Sequence, residues 1–398
     1  MSAPAKLPPF DPADPLGLDD LLSDEDLAVR ATVRSWAADR VLPHIAEWYE
    51  SGEPPIRELA LELGGMGALG MSLTGYGCAG ATAVQYGLAC LELEAADSGI
   101  RSLVSVQGSL AMYAIWRFGS EEQKERWLPS MAVGETIGCF GLTEPDHGSD
   151  PAGMRTYAKR DGTDWVLSGR KMWITNGSVA GVAVVWAQTD GGSGGIRGFV
   201  VPTDTPGFSA PEIKHKWSLR ASVTSELVMD EVRLPADAVL PGVTGLKGPL
   251  SCLSHARYGI VWGAMGAARA SFQAAVDYAK SREQFGRPIG GFQLTQAKLA
   301  DMAVELHKGV LLAHHLGRRM DAGRLRPEQV SFGKLNNVRE AIEICRTSRT
   351  ILGANGISLE YPVMRHATNL ESVLTYEGTV EMHQLVLGKA LTGLDAFR

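Results

Sequence analysis

The sequence predicts a multidomain α+β protein with an N-terminal helical domain, a central antiparallel β-barrel domain and a C-terminal four-helix bundle. The chain has 398 residues, which at roughly 100–200 residues per domain allows two or three domains. The residue pattern predicts helices in the first part of the chain, short β-strands in the middle and long helices in the last part. We therefore expect domains at residues 1–133, 134–248 and 249–398. An apolar content of 45% and a charged content of 21% are ordinary for globular proteins.

Capping patterns predict helices in the N-terminal domain. Ser23 stands three positions before Asp26, and Ser120 stands three positions before Gln123. The first pattern predicts an N-cap at Ser23, and the second is the capping-box pattern that opens a helix. Breaks between the helices are predicted by two glycine-rich stretches, Gly64-Gly65 and Gly75 to Gly80.

Short β-rich runs characterise the central domain. Nothing helical separates them, which favours an antiparallel barrel or sandwich over parallel β-α-β units. Asp190 to Gly195 predicts a turn between two of the strands. The predicted strands are Thr136–Thr143, Met154–Lys159, Trp165–Leu167, Lys171–Thr175, Val182–Gln188, Ile196–Val201 and Glu226–Met229.

The C-terminal domain is predicted from an apolar stripe. Long helices bury little surface on one small sheet, so the stripe indicates a helical bundle, one that another subunit could complete. The stripe recurs at steps of three and four residues, at Leu299, Met302, Ala303, Leu306, Val310 and Ala313.

Charge and composition exclude several classes of protein. A net charge of −7 argues against a broad affinity for nucleic acid or for an anionic membrane. No apolar run approaches the ~18 residues of a membrane span. Met1 to Asp20 lacks the features of a signal or transit peptide, so we expect an arm on a cytoplasmic protein. The five cysteines are scattered without a Cys-x-x-Cys pair, so we expect reduced thiols and no metal site.

Three segments carry groups that suit chemistry. A strand that ends in Thr-Glu-Pro before a small-residue loop offers exposed N–H groups and hydroxyls. A second strand end carries an aromatic and a hydroxyl, and Glu377 is a lone carboxylate beside Gly378. Each segment alone is consistent with a turn that holds a satisfied polar residue. The segments are Gly138–Pro145 with Gly148-Ser149-Asp150, Trp173–Asn176 and Leu374–Thr379.

Together these segments resemble the acyl-CoA dehydrogenase family. The resemblance also includes Ser281–Gly286, Gln293 and Leu352–Gly356, and it runs from about Leu21 to Phe397. It implies a helical domain, a β-barrel domain and a four-helix domain, with FAD between the second and the third. The helical, β-rich and helical residue patterns along the chain agree with that arrangement independently.

The resemblance implies that Glu377 is a catalytic base and that Gly378 lets the substrate approach. Removing the α-proton of a thioester needs a base, and a carboxylate in a dry pocket is a stronger base because its pKa is raised. FAD accepts the hydride from the β-carbon. The implied cofactor-binding residues are Phe140, Leu142, Thr143, Ser149, Trp173, Ile174, Thr175, Arg282, Phe285, Gln293, Gly353, Thr379 and Glu381. Of these, Arg282, Gln293 and Gly353 are implied to reach the FAD of a neighbouring subunit.

Within the family, the stretch Glu92–Gln107 resembles the glutaryl-CoA dehydrogenase branch most closely. In that branch an arginine and serines hold the far carboxylate of a dicarboxylic acyl group, and a guanidinium pairs well with a carboxylate. The alternative is that Arg101 forms a salt bridge with Glu94 or Asp97. The implied substrate-binding residues are Arg101, Ser102, Ser105, Glu94, Ser149, Arg257, Tyr376 and Gly378.

The implied activity is dehydrogenation of glutaryl-CoA, followed by decarboxylation to crotonyl-CoA and CO₂. The resemblance also implies a homotetramer, electron-transferring flavoprotein as the acceptor and a place in lysine and tryptophan degradation. Two alternatives remain: a dehydrogenase for an uncharged short or branched acyl-CoA, and a flavin acyl-CoA oxidase. The chain departs from the branch at Ile100, at Ser254-His255 and at Val380–Met382.

Overall fold

The computed structural model of the protein describes residues 10–189 and 195–396. Among the described residues of the N-terminal part there are seven α-helices, a 3₁₀ helix at Leu18–Leu21 and a π-helical segment, Val106–Met112, that joins the fifth α-helix to the sixth. The helices are α1 (Asp24–Arg40), α2 (Ile45–Ser51), α3 (Ile56–Gly65), α4 (Ala83–Ala96), α5 (Ser98–Ser105), α6 (Tyr113–Phe118) and α7 (Glu121–Ala132).

The predicted N-cap at Ser23 and the predicted capping box at Ser120 are both confirmed. The Ser23 hydroxyl accepts a hydrogen bond from the Asp26 N–H at 3.2 Å, and the Ser120 hydroxyl accepts one from the Gln123 N–H at 3.2 Å. The predicted N-terminal arm is described from residue 10 onward, and residues 1–9 lie outside the described part. In the described part, Asp19 pairs with Arg30 of α1 at 2.6 Å, so this segment is held against the helical domain.

The central part contains two small sheets. Their strands are β1 (Gly138–Gly141), β2 (Tyr157–Asp161), β3 (Asp164–Thr175), β4 (Val182–Ala187), β5 (Arg197–Pro202), β6 (Phe208–Ser209) and β7 (Thr224–Leu234). One sheet has the order β1-β4-β5 and the other has the order β2-β3-β7-β6.

Two details of the sheets differ from the sequence prediction. Strands β1 and β4 pair in parallel, whereas every strand was expected to be antiparallel. The two runs predicted at Trp165–Leu167 and Lys171–Thr175 form one strand, β3, because register shifts after Leu167 and after Lys171 bend it without ending it. Of the turn predicted at Asp190–Gly195, positions 190–194 lie outside the described residues.

The C-terminal part is helical, as predicted, and it contains one short hairpin. Its elements are α8 (Lys247–Ser281), β8 (Glu283–Gln284), β9 (Arg287–Pro288), α9 (Gln293–Asp321), α10 (Pro327–Leu352), α11 (Pro362–Thr375) and α12 (Val380–Thr392). None of the helices in the described ranges is both long enough and apolar enough to cross a membrane.

Close packing of α8 on α4 brings the N-terminal and C-terminal parts together. A Cβ at Gly266 would lie 2.0 Å from the Leu91 carbonyl oxygen, and a Cβ at Gly259 would lie 2.9 Å from the Tyr86 hydroxyl. Glycine at these positions lets the two helix backbones approach closely. The polar side chains of α4 and α5 therefore reach α8 and the loop that follows α11.

Candidate active site

The candidate base, Glu377, lies on the loop Tyr376–Gly378 between α11 and α12. Glu377 has φ +53°, and Gly378 has φ +102°, a conformation that favours glycine. A Cβ at position 378 would lie 2.9 Å from His383 Nε2 and 3.3 Å from Arg257 Nη2. Position 378 therefore requires glycine both for its backbone conformation and for space.

Side-chain cations hold the carbonyl groups of this loop. Lys334 Nζ on α10 donates to the Tyr376 carbonyl oxygen at 2.5 Å and to the Gly378 carbonyl oxygen at 2.6 Å. Arg257 Nε on α8 donates to the Glu377 carbonyl oxygen at 2.5 Å. The sequence prediction placed Arg257 against the substrate, and the structure shows its guanidinium bound to the backbone of the candidate base.

The carboxylate of Glu377 is in an environment that suits a base. Its Oε2 is buried and has no hydrogen-bond partner among the described residues. Burial raises the pKa of Glu377, while the positive charges of Arg101, Lys334 and Arg257 oppose the rise. A carboxylate with a raised pKa accepts a proton more readily than an ordinary glutamate does.

Arg101 faces the same loop from α5, where it is 1% exposed. Its Nε donates to Glu94 Oε2 at 2.7 Å, and its Nη2 donates to the Tyr376 hydroxyl. Glu94 Oε1 also accepts a hydrogen bond from Ser98 at 2.8 Å. The salt bridge to Glu94 considered as the alternative is thus present.

Two neighbouring hydroxyls on α5 nevertheless lack partners. The Oγ atoms of Ser102 and Ser105 are buried and make no hydrogen bond of good geometry in the described part of the chain, although Ser102 adjoins the Tyr376 hydroxyl and Ser105 adjoins the Tyr86 hydroxyl. Such atoms are rare in folded proteins, and they commonly mark a missing water or ligand. The guanidinium of Arg101 and these two hydroxyls, all on α5, provide donors for an anionic or polar group.

Gly263 on α8 leaves the space that the Arg101–Glu94 pair occupies. The sequence prediction did not include Gly263. A Cβ at this position would lie 2.0 Å from Glu94 Oε2 and 3.3 Å from Arg101 Nε. The carboxylate would have to move, and the pair is fully buried. Breaking the geometry of a buried pair is costly because each charge loses its partner.

We expect Gly263→Ala to lower the free energy of unfolding by about 1–3 kcal/mol through overpacking. Denaturant unfolding of the holoenzyme measures this change. Gly388→Ala on α12 is the matched control, because nothing lies within 4 Å of its added Cβ. Alanine in a helix is favoured over glycine by up to about 1 kcal/mol, so the control variant is expected to be as stable as the parent or more stable. If Gly263→Ala had the same free energy of unfolding as Gly388→Ala, the interface between α8 and α4 would be shown to accommodate an added methyl group at little cost.

The strand ends of the central domain bring together part of the predicted cofactor set. The Met172 N–H donates to the Thr143 carbonyl oxygen at 2.8 Å, which places Thr143 beside Trp173. Trp173 has φ +63° and is 58% exposed. A bulky aromatic side chain held out at a strained backbone position suits stacking on a planar ligand. These residues therefore fit a flavin.

Other members of the predicted cofactor set are buried. Phe140, Leu142 and Ile174 belong to the hydrophobic cores, so their side chains pack inside the protein. An ion pair that the sequence prediction missed lies behind this strand. Lys171 Nζ donates to Glu144 Oε1 at 2.8 Å, and burial lowers the pKa of Lys171 to about 8.

The remaining predicted cofactor residues lie on the surface of the chain. Phe285 on the β8–β9 hairpin is 95% exposed, although it packs edge-on against Phe292. Thr379 is the N-cap of α12, where its hydroxyl accepts a hydrogen bond from the Met382 N–H. Thr379 is half-buried, whereas the remaining residues of the set are exposed: Ser149, Arg282, Gln293, Gly353 and Glu381.

His255, one of the departures from the branch pattern, is also in a defined environment. Its ring stacks on Tyr113 with the centroids 4.4 Å apart, and Nε2 lies 3.2 Å from the Ser72 hydroxyl. Burial lowers the pKa of His255 to about 4. This histidine is therefore neutral at ordinary pH.

Sequence reasoning missed Lys334 and His383. Lys334 occupies a buried position on α10, one turn from Val330 and from Val338. A lysine on the apolar stripe of a helix was the signal that could have identified it. His383 gave no comparable signal, because only the fold places it under Gly378.

Comparison with known proteins identifies the family. Three family profiles match the chain: the acyl-CoA dehydrogenase N-terminal domain at residues 23–135, the middle domain at 139–232 and the C-terminal domain at 244–392. The chain therefore belongs to the acyl-CoA dehydrogenase family. The resemblance and the three-domain fold predicted from the sequence are both confirmed.

Within that family, the chain is similar to a glutaryl-CoA dehydrogenase of Mycobacterium smegmatis. The two share 72% identity with a TM-score of 0.95, over 97% of this chain and 99% of that one. A glutaryl-CoA dehydrogenase of M. smegmatis in complex with FADH2 shares 63% identity over 98% and 100% of the two chains, with a TM-score of 0.95. The human mitochondrial short-chain specific acyl-CoA dehydrogenase shares 35% identity over 89% of this chain and 87% of that protein.

Proposed function

We propose that the protein is an FAD-dependent glutaryl-CoA dehydrogenase that forms crotonyl-CoA and CO₂. The observation that carries the proposal is the buried Arg101, beside two partnerless serine hydroxyls, facing the loop of Glu377. A cation with free hydroxyl donors beside it suits the far carboxylate of a dicarboxylic acyl group. The identity of 63–72% with glutaryl-CoA dehydrogenases supports the same substrate.

In this proposal Glu377 removes the α-proton of the thioester. FAD, when bound, supplies the acceptor for the hydride that leaves the β-carbon. The bond between the γ-carbon and the carboxylate then breaks, and its electron pair enters the conjugated thioester as a dienolate. Protonation of the γ-carbon completes crotonyl-CoA. Thr143, Trp173 and Thr175 would hold the flavin.

The same proposal extends to assembly and to electron transfer. The exposed Phe285 and its neighbours Arg282 and Gln293 are available to the FAD site of a second subunit, which supports a homotetramer. We propose electron-transferring flavoprotein as the acceptor, a cytoplasmic location and a role in lysine and tryptophan degradation. The similarity to glutaryl-CoA dehydrogenases of M. smegmatis supports the activity on which the acceptor and the metabolic role depend.

One observation favours a second candidate, a dehydrogenase for an uncharged short acyl-CoA. Glu94 already neutralises the charge of Arg101, since their side chains lie 2.7 Å apart and both are buried. A pocket without net charge at its end tolerates an uncharged chain. The 35% identity with short-chain acyl-CoA dehydrogenases is consistent with this candidate.

We expect the purified holoenzyme to oxidise glutaryl-CoA with a higher kcat/KM than butyryl-CoA or isovaleryl-CoA. A dye serves as the acceptor, and release of CO₂ and crotonyl-CoA is measured on the same samples. Faster turnover of butyryl-CoA would select the uncharged-chain candidate, and dehydrogenation without CO₂ would remove decarboxylation from the proposal. Oxygen uptake without dye identifies an oxidase.

A further inference from the structure

The loop that carries Glu377 is held at three successive carbonyl groups by two cationic side chains. Lys334 binds the carbonyls on both sides of Glu377, and Arg257 binds the carbonyl of Glu377 itself. Backbone hydrogen bonds cannot serve all the carbonyls at the end of a helix, so side chains commonly complete them. Here the completing groups come from α10 and α8, two long helices of the bundle.

Lys334 is buried more deeply than a structural hydrogen bond requires. It is 2% exposed, and no acidic side chain forms a salt bridge with it in the described part of the chain. Burial lowers the pKa of Lys334, and the negative charge of Glu377 opposes that shift. The two groups are therefore near enough for their charges to affect each other.

We propose that Lys334 is a positioning residue for Glu377, fixing the direction of its carboxylate and favouring its ionised form. The inference rests on the proposed function in so far as Glu377 is the base. A surface hydrogen bond would fix the loop equally well, but it would add no charge beside the carboxylate. The buried cation does both, because it holds the carbonyls on either side of Glu377 and its charge also acts on the carboxylate.

Several other groups influence Glu377, so the effect of Lys334 must be separated from theirs. Arg101 and Arg257 also favour the ionised carboxylate. His383 is neutral, because burial and the nearby cations lower its pKa to about 3, and Tyr376 is neutral because burial raises its pKa to about 12. The charged groups that act on the carboxylate are Arg101, Lys334 and Arg257, while Tyr376 and His383 adjoin its loop and Glu94 acts on Tyr376.

The test compares Lys334→Gln with Lys334→Arg in the holoenzyme. Glutamine keeps a hydrogen-bond donor and removes the charge, whereas arginine keeps the charge. We expect Lys334→Gln to move the acidic limb of the kcat/KM profile up by about 1 pH unit or more, because a nearby opposite charge lowers the pKa of a carboxylate. We expect kcat to fall by about 10–10²-fold through misplacement of the base. Lys334→Arg is expected to keep the parental limb.

A readout without turnover separates this inference from the proposed function. Infrared difference spectroscopy against Glu377→Gln follows the protonated carboxyl band of Glu377 in the absence of substrate. We expect that titration to move upward in Lys334→Gln, whichever acyl-CoA the enzyme uses. If the parent oxidises no acyl-CoA, the proposed function fails, while the infrared titration still tests Lys334.

Two further variants keep the result interpretable. Lys308→Gln, at an exposed position of α9 paired with Glu305, is expected to leave both titrations unchanged. Lys334→Met repeats the measurement if the glutamine variant does not fold, since it also removes the charge. An unmoved acidic limb together with an unmoved infrared titration in the neutral Lys334 variant would overturn the inference.

Discussion

Glu377→Gln is expected to bind FAD and acyl-CoA but to lose turnover by at least about 10²–10⁴-fold, the usual contribution of a general base. The amide preserves the shape of the side chain, and the contacts of Lys334 and Arg257 to the loop carbonyls do not depend on the carboxylate. The amide cannot accept the α-proton. Bleaching of the flavin absorbance on rapid mixing with glutaryl-CoA measures the loss directly.

The pH dependence of the parent enzyme follows from the same residue. Because burial raises the pKa of Glu377, the ionised base disappears at a higher pH than it would for an ordinary glutamate. Activity is therefore expected to fall as the pH decreases through this raised value. Glu371→Gln on α11 is the control, since Glu371 is exposed and pairs only with Arg346 in the described structure. Rates of Glu377→Gln within a few-fold of the parent would assign the base to another residue.

Replacing Arg101 is expected to abolish the preference for a dicarboxylic chain. A carboxylate buried without its partner costs about 3–5 kcal/mol, so kcat/KM for glutaryl-CoA should fall by roughly 10²–10³-fold or more. Butyryl-CoA has no charge at that end and should lose little. Measuring both thioesters on each protein cancels damage to folding or to flavin binding, because such damage lowers both rates.

The structure sharpens the choice of variant. Arg101→Ala alone leaves Glu94 buried with only the Ser98 hydroxyl as a partner, so it would also harm folding. The double variant Arg101→Met with Glu94→Gln removes both charges together, and Glu94→Gln alone is its matched control. Glu94→Gln keeps the cation and is expected to retain the preference for glutaryl-CoA. Equal losses for both thioesters in the double variant would make Arg101 structural and would favour the uncharged-chain candidate.

Local signals in the sequence were sufficient for the helix starts and for the division of the chain into helical, β-rich and helical parts. Ser23 and Ser120 open helices because their hydroxyls can reach only the first turn that follows them, so neighbouring residues decide the outcome. The parallel pairing of β1 with β4 could not be read in this way. It joins Gly138 to Val182 across an intervening hairpin, and no local pattern specifies that register.

In the candidate site, too, some residues could be predicted from the sequence and others could not. Glu377, Arg101 and the neighbouring serines stand in recognisable motifs, so a resemblance could name them. Lys334 and Gly263 act only through contacts that the packing of α8, α10 and α4 creates. Whether a lysine on an apolar stripe is buried against a carboxylate depends on which helix covers it, and that is a property of the tertiary structure.

The pairing of Arg101 with Tyr376 also bears on the order in which the molecule folds. These residues are 275 positions apart in the chain, and Arg257 is 120 positions from the loop carbonyl that it binds. Contacts between such distant residues form slowly, since a long loop must close before they are gained. On the ribosome, the N-terminal helices are synthesised long before α11. Until α11 and the loop after it have been made, Arg101 can pair with Glu94 but cannot reach Tyr376. If the proposed roles of Arg101 and Glu377 hold, substrate recognition and proton abstraction are acquired together, at the last stage of assembly.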